Sequence, residues 1–200
     1  MKKSDKIRER ILLVAIKLFS KEGFDATTFE LIARKCRVSA TTPYYYFKNK
    51  RALIDAAIIM ILQHNSELVS QTIDPNDGAL ERLNKHFRMN LSWAEAYPQE
   101  AQVVLLMYYL ATFDQTWAET YERILTGARR KILEHLLAGQ REKVFHFTLP
   151  AETVAEILHD ALLGGIVNQI STQLVRASAK ERSIEKWKAL LENVVKGSAA

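Results

Sequence analysis

The chain has 200 residues, 48% hydrophobic and 26% charged, the composition of a globular protein with enough material for one domain or two small ones. Its formal net charge is +5, and seven Gly with four Pro supply too few tight turns for a sandwich or barrel built on hairpins. A lone cysteine, Cys36, excludes an intramolecular disulfide and a multi-cysteine metal site, and the longest uninterrupted apolar stretch, Val103 to Ala111, is far short of the ~20 residues that span a bilayer, so no transmembrane helix is expected.

Residues 5 to 21 place Ile7, Ile11, Ala15, Leu18 and Phe19 on one side of a helix that Gly23 stops. Thr27 or Thr28 can cap a second, short helix through about Lys35, and a third short segment runs from about Ser39 to Tyr46. Asn49 can cap a long helix to about Ser70, with Leu53, Ala57, Ile61 and Leu68 near one stripe. Asp74-Pro75 reads as a cap followed by proline at the first helical position, opening a helix to about Ala96. Pro98 opens the next, in which Val103 to Leu110 is apolar enough to be largely buried. Thr112-Phe113-Asp114-Gln115 has capping-box spacing and starts a helix to about Ala138, after which Gly139 to Pro150 reads as a long connection. Pro150 with Glu152 begins a helix through about Ala177, and Ser178-x-x-Glu181 is a capping box for the last, which ends near Lys196. Nothing alternates with the period of a strand. The expected fold class is all-α: a three-helix head over residues 1–50 and a six-helix body over 51–200, about nine helices in all.

Charge follows the same division. Residues 1–51 hold 13 Lys/Arg against 5 Asp/Glu, a net of +8, and the remainder holds 15 against 18, a net of −3. A small basic unit on a mildly acidic body is the electrostatic footprint of a nucleic-acid-binding head, although a basic surface also serves solubility. The N-terminal MKKSDKIRER contains Asp5 and Glu9 and leads into an amphipathic segment instead of a compact apolar core, so a cytoplasmic location is expected.

Two short helices joined by a tight turn and cradled by longer helices form a helix-turn-helix unit, whose second helix lays its N-terminal side chains in the major groove. That helix reads Ser39-Ala40-Thr41-Thr42-Pro43-Tyr44-Tyr45-Tyr46. Short hydroxyls and a methyl at its start suit base edges and thymine methyls, and tyrosines add hydroxyl donors for phosphates. Lys48 and Lys50 stand at the mouth of the next helix, where the backbone dipole also favours an anion.

Residues 8 to 62 resemble the DNA-binding head of the TetR family of transcriptional repressors, through the stretches RILLVAIKLFSKEGFDATTFELIARKCRVS and TTPYYYFKNKRALIDA. The resemblance implies that Ala40, Thr41, Thr42 and Tyr45 face bases, that Thr28, Tyr44 and Lys50 hold phosphates, and that the body binds a ligand and dimerises. Three positions depart from the family pattern. Arg37 replaces the glycine of the turn, so a residue with a Cβ must take a left-handed or similarly unfavourable conformation, at a cost of about 1 kcal/mol; Arg37 is also placed to reach a phosphate. Ala40 stands for a basic residue, with Thr41 at the small position after it. Pro43 stands where an apolar residue is usual: either the helix begins late, with Thr42 as cap and Pro43 at its first position, or its first turn is distorted.

In the body, the last two helices carry apolar residues on more than one face, so one stripe can meet the body and another a partner. The resemblance implies a homodimer with a four-helix seam, for which Ala161, Gly165, Ile184, Trp187, Leu191 and Val194 are the candidates. Trp93, Tyr97, Met107, Tyr108, Phe113, Trp117 and Tyr121, with Asn168 as a polar group, are candidates for the pocket of a small, mostly apolar effector, or else form solid core. The five histidines show no HExxH spacing, and there is no Walker loop, GxGxxG or GxSxG. No catalytic residue, metal or cofactor is expected. The expected partners are double-stranded DNA, a second copy of the chain and an unknown small-molecule effector, with no membrane. The competing readings are a DNA-binding protein of this fold without a ligand, and an all-helical hydrolase using His159-Asp160.

Overall fold

The structure, a computed structural model, describes residues 3–172, 179–191 and 195. Among these residues there are nine helices and no strand: α1 (Lys3–Ala26), α2 (Phe29–Cys36), α3 (Thr42–Tyr46), α4 (Lys50–Thr72), α5 (Ala79–Ala96), α6 (Pro98–Leu110), α7 (Gln115–Arg141), α8 (Ala151–Thr172) and α9 (Ala179–Leu190). The chain is all-α. The expected end of α8 near Ala177, the Ser178 cap, Val194 and the end of α9 near Lys196 lie outside the described residues.

The chain divides into two compact units, Met1–Asn65 with Gln99–Met107, and Ser66–Pro98 with Tyr108–Ala200. The division falls within α4, because the apolar stripe of that helix continues well past residue 50: Leu53, Ile54, Ala57, Ile58 and Ile61 are all buried. The helix α4 has 23 residues, and an 18-residue stretch of it has a mean hydropathy of 1.3, long and apolar enough to cross a membrane by length and composition. Scattered polar residues such as Asp55 and Gln63 break its apolar runs without much lowering the average, which is why counting uninterrupted runs overlooked it. The same composition suits a core helix, and the five buried residues above use it that way.

In the first unit α1 bends at Gly23, whose φ of 80° is a conformation that favours glycine. Ile11, Ala15 and Phe19 of α1 and Ile32, Ala33 and Cys36 of α2 are also buried in this unit. Cys36 is a small core residue whose thiol burial pushes above its ordinary pKa, so it holds its proton.

The second unit is built around Leu83, Phe87 and Leu91 of α5, Ile132 and Leu136 of α7, Leu158 and Leu162 of α8, and Trp187 and Leu191. Here α5 begins later than its sequence suggests. Asp74-Pro75-Asn76-Asp77 is a turn, closed by the Asp77 N–H donating to the Asp74 carbonyl at 3.0 Å and by the Asn76 N–H on the Asp74 carboxylate at 2.8 Å. Asp-Pro suits a turn as well as a helix start. The cap of α5 comes from Glu142, far along the chain, whose Oε2 accepts the Ala79 N–H at 2.6 Å while Oε1 meets Arg82 Nη2 at 2.7 Å. For α7 the cap is Asp114, accepting the Trp117 N–H at 3.0 Å, and not Thr112. That helix runs to Arg141, past the expected Ala138, and its end folds the Phe145 ring onto Gly139, where an added Cβ would lie 1.9 Å from the ring.

Candidate nucleic-acid interface

The turn of the helix-turn-helix is made by Arg37 at φ 53°, ψ 48°, the left-handed region in which a glycine would be unstrained. Its N–H donates to the Arg34 carbonyl at 3.2 Å and the Val38 N–H to Ala33 at 3.1 Å, so the last carbonyls of α2 are satisfied and the exposed guanidinium is left to solvent. At the other end of α2 Thr28 acts as cap, its hydroxyl accepting the Leu31 N–H at 3.2 Å. The same hydroxyl donates to the Glu30 carboxylate, one of the contacts that, after Glu30's own backbone N–H, lower the Glu30 pKa.

Beyond the turn α3 is short and starts late. Thr42 is its first helical residue and Pro43 its second, with Thr41 before it in helical geometry and without a side-chain cap bond. Of the two alternatives open for Pro43 the late start holds, displaced by one position. At the second position a helical N–H has no intrahelical partner, so proline forfeits no bond, and its ring is buried as an apolar residue there would be. The hydroxyls of Ser39, Thr41 and Thr42 gather into one exposed group, Ser39 Oγ lying 3.1 Å from Thr41 Oγ1 and 2.7 Å from Thr42 Oγ1. Ala40 is exposed beside them, and Tyr45, 82% exposed, is the most open of the large hydrophobic side chains among the described residues.

Tyr44 is held differently from its neighbour. Its hydroxyl donates to Glu30 Oε1 at 2.9 Å and its ring meets Phe29 edge-on at 4.5 Å. The hydrogen bond to Glu30 raises the tyrosine pKa, so at neutral pH the proton stays and faces a carboxylate. Sequence reasoning missed Glu30; its only signal was an acidic residue in the first turn of α2, where the dipole welcomes one. Lys50 Nζ donates to the Asp25 carbonyl at 2.8 Å, Asn49 caps α4 through the Ala52 N–H at 2.8 Å, and Lys48 just before them is exposed. Arg37, Ser39, Ala40, Thr41, Thr42, Tyr45 and Lys48 thus all reach solvent on the turn, α3 and the segment after it, while Thr28, Tyr44 and Lys50 also carry structural bonds.

The candidate effector residues are less uniform. Trp93 and Met107 are buried, and Tyr108 packs edge-on against Tyr121 at 4.9 Å, with burial pushing its hydroxyl up to about 12. Tyr97 is 39% exposed, Trp117 half-buried, and Phe113 is 73% exposed against Tyr109, because it sits in the turn before α7. Of the eight, only Asn168 lines a described groove, one of about 320 Å³ shared with Phe87, Ala161, Gly165, Ser183 and Trp187. The candidate dimer residues also separate. Trp187 stacks on Phe87 at 3.4 Å and Leu191 is buried, so both belong to the chain's own core and Ile184 borders it. Sequence periodicity had counted them as surplus. On α8, by contrast, Ile157, Ala161 and Asn168 are exposed along one face, with Gly164 half-buried between them, and Gly165 lies to one side.

His86 and His135 lie 5.5 Å apart within the second unit. Burial first, then the nearby His135, Lys131 and His159, pushes the His86 pKa down to about 3. His159 Nδ1 stands 3.6 Å from Asp160, beyond hydrogen-bond reach, and Asp160 meets Arg129, which is not the arrangement of a catalytic pair.

Residues 11–57 match the family model for bacterial regulatory proteins, tetR family. The chain is 46% identical over 50 residues to the uncharacterized HTH-type transcriptional regulator YerO of Bacillus subtilis (strain 168), covering 25% of this chain and 17% of that protein. It is 35% identical over 71 residues to the HTH-type transcriptional regulator UidR of Escherichia coli (strain K12), covering 36% of this chain and 35% of that one. The matched stretches therefore span well under half of these relatives. The fold as a whole is similar to that of a protein from Saccharomonospora viridis solved in complex with choline, with a TM-score of 0.83, 20% identity, and coverage of 96% of this chain and 98% of that one.

Proposed function

We propose, because this chain belongs to the TetR family of bacterial regulatory proteins, that it is a cytoplasmic transcriptional regulator, a repressor that binds a palindromic operator as a homodimer and leaves it when a small, mostly apolar effector binds. The head over residues 1–50 reads DNA and the body over 51–200 carries the effector and the seam. The observation that carries the reading is the exposed hydroxyl group of Ser39, Thr41 and Thr42, set between Arg37 and Lys48 in a segment, residues 1–51, of net charge +8. Hydroxyls at the start of a short helix read base edges, and the flanking cations hold phosphates. The exposed face of Ile157, Ala161, Gly164 and Asn168 on α8 supports the dimer, since small residues let two helices approach closely. A protein of the same fold that holds choline supports an effector in the body.

Selection of bound duplexes from a random pool, followed by titration of the selected site against salt, tests the reading. Log affinity should fall linearly with log salt, by about 0.9 per neutralised phosphate. Lys48→Ala should lower affinity for all sequences and flatten that slope. Failure to select any duplex, or binding indifferent to salt, overturns the assignment.

A further inference from the structure

A second concave surface lies in the first unit, on the far side of α2 from the face that meets α3. The α3 contacts use Phe29 and Glu30, whereas Leu31, Arg34 and Lys35 help line a groove of about 840 Å³ with α1 and the start of α6. Four cations stand around it: Lys17, Lys21, Arg34 and Lys35. Among the described residues, only Lys21 has a carboxylate within ion-pair reach, Glu22 at 3.8 Å. Glu22 also lines the groove, so four cations stand against one carboxylate and the lining keeps a net charge of +3, with Lys17, Arg34 and Lys35 outside ion-pair reach of it. Its floor is apolar, with Leu18 buried and Val14 and Leu31 half-buried, and the carboxamides of Gln99 and Gln102 add neutral hydrogen-bonding groups.

We propose that this groove binds a free amphipathic organic anion: a carboxylate or phosphate ester with a hydrocarbon body. The volume suits a small molecule. Cations at the rim match the headgroup and Leu18 with Leu31 matches the chain. A phosphodiester backbone would engage the rim alone and leave the apolar floor wet, which is why a nucleic acid fits less well. The site is separate from the DNA-reading face and from the effector reading of the body, so its failure leaves both intact.

The test is calorimetric titration of the full chain with decanoate, beside inorganic phosphate, the uncharged glycerol ester of decanoate, and anionic phosphatidylglycerol vesicles, with methyl NMR of Leu18 and Leu31 to locate the site. Decanoate should bind once per chain and shift both methyls, and phosphate and the ester should each bind at least ten-fold more weakly. Lys17→Glu with Arg34→Glu, both exposed, should weaken decanoate at least ten-fold with an unchanged melting temperature. Binding that survives the double reversal, or leaves the two methyls unmoved, overturns the proposal. So does vesicle capture without decanoate binding, which would make the groove a membrane contact. A double reversal that weakens only duplex binding would make it a DNA contact and overturn the proposal equally.

Discussion

Replacing Arg37 by glycine should move stability and DNA binding in opposite directions. At φ 53°, ψ 48° an L residue carries a left-handed penalty of about 1–2 kcal/mol. Glycine removes it but returns about 0.5–1 kcal/mol through the greater freedom of the unfolded chain. The Arg37 N–H bond to Arg34 belongs to the backbone and survives, and the exposed side chain contributes little burial. The net gain is about 0.5–1 kcal/mol, which for a chain of this size raises the melting temperature by about 1–4 °C. Binding should weaken at the same time, because each head loses one cation. With two heads on the operator the slope of log affinity against log salt should shrink by about 1.8. Circular-dichroism melting and fluorescence anisotropy on a labelled duplex read the two effects separately. A lower melting temperature would refute the strain argument, and an unchanged slope would refute the phosphate role.

Pro43→Leu should alter stability by less than about 1 kcal/mol, well under the ~3 kcal/mol of a proline in a helix interior, because the second position of α3 forms no intrahelical N–H bond; a melting shift beyond about 4 °C would contradict this. Ala161→Arg on the exposed face of α8 should give a folded monomer by light scattering, whereas Trp187→Glu should unfold the second unit by breaking the stack on Phe87; a dimeric Ala161→Arg chain would put the seam elsewhere. Because the folded His86 is held to a pKa of about 3, below the ~6.5 of an unfolded histidine, its contribution is complete above the unfolded value and is lost as pH falls toward the folded one. Denaturant unfolding between pH 7 and 4 should show stability falling, with the steepest loss below about pH 6 where this group approaches the one-proton slope of roughly 1 kcal/mol per pH unit, and His86→Leu should flatten that dependence; an equal slope in both proteins would exclude His86 as its source.

The parts legible in the sequence are those whose physics is local. Thr28, Asn49 and Pro98 mark helix starts through neighbours three or four residues away, and α2, α4 and α6 begin beside them. The left-handed turn at Arg37 was legible through the family resemblance, which has a glycine there, and the structure has it at φ 53°. What escaped depended on distant partners. The start of α5 is fixed by Glu142, and no reading of Asp74-Pro75 contains that carboxylate. Trp187 was equally ambiguous, since an apolar stripe on a helix announces burial without saying against what, and only Phe87 shows that the answer lies within the same chain. Tyr44, for which the family resemblance implies a phosphate, also donates its hydroxyl proton to Glu30, a partner on another helix that no local pattern contains.

The Tyr44–Glu30 bond and the edge-on contact of Tyr44 with Phe29 bear on how such a head can be re-engineered. Grafting α3 alone into a relative would import a tyrosine whose acceptor and ring partner stay behind on α2, leaving a reoriented side chain beside the hydroxyls meant to choose bases. The transferable cassette is therefore the stretch from Thr28 to Phe47, carried with its own left-handed Arg37. A chimera built on that longer exchange should inherit this chain's operator preference, while one built on residues 42–46 should inherit neither parent's.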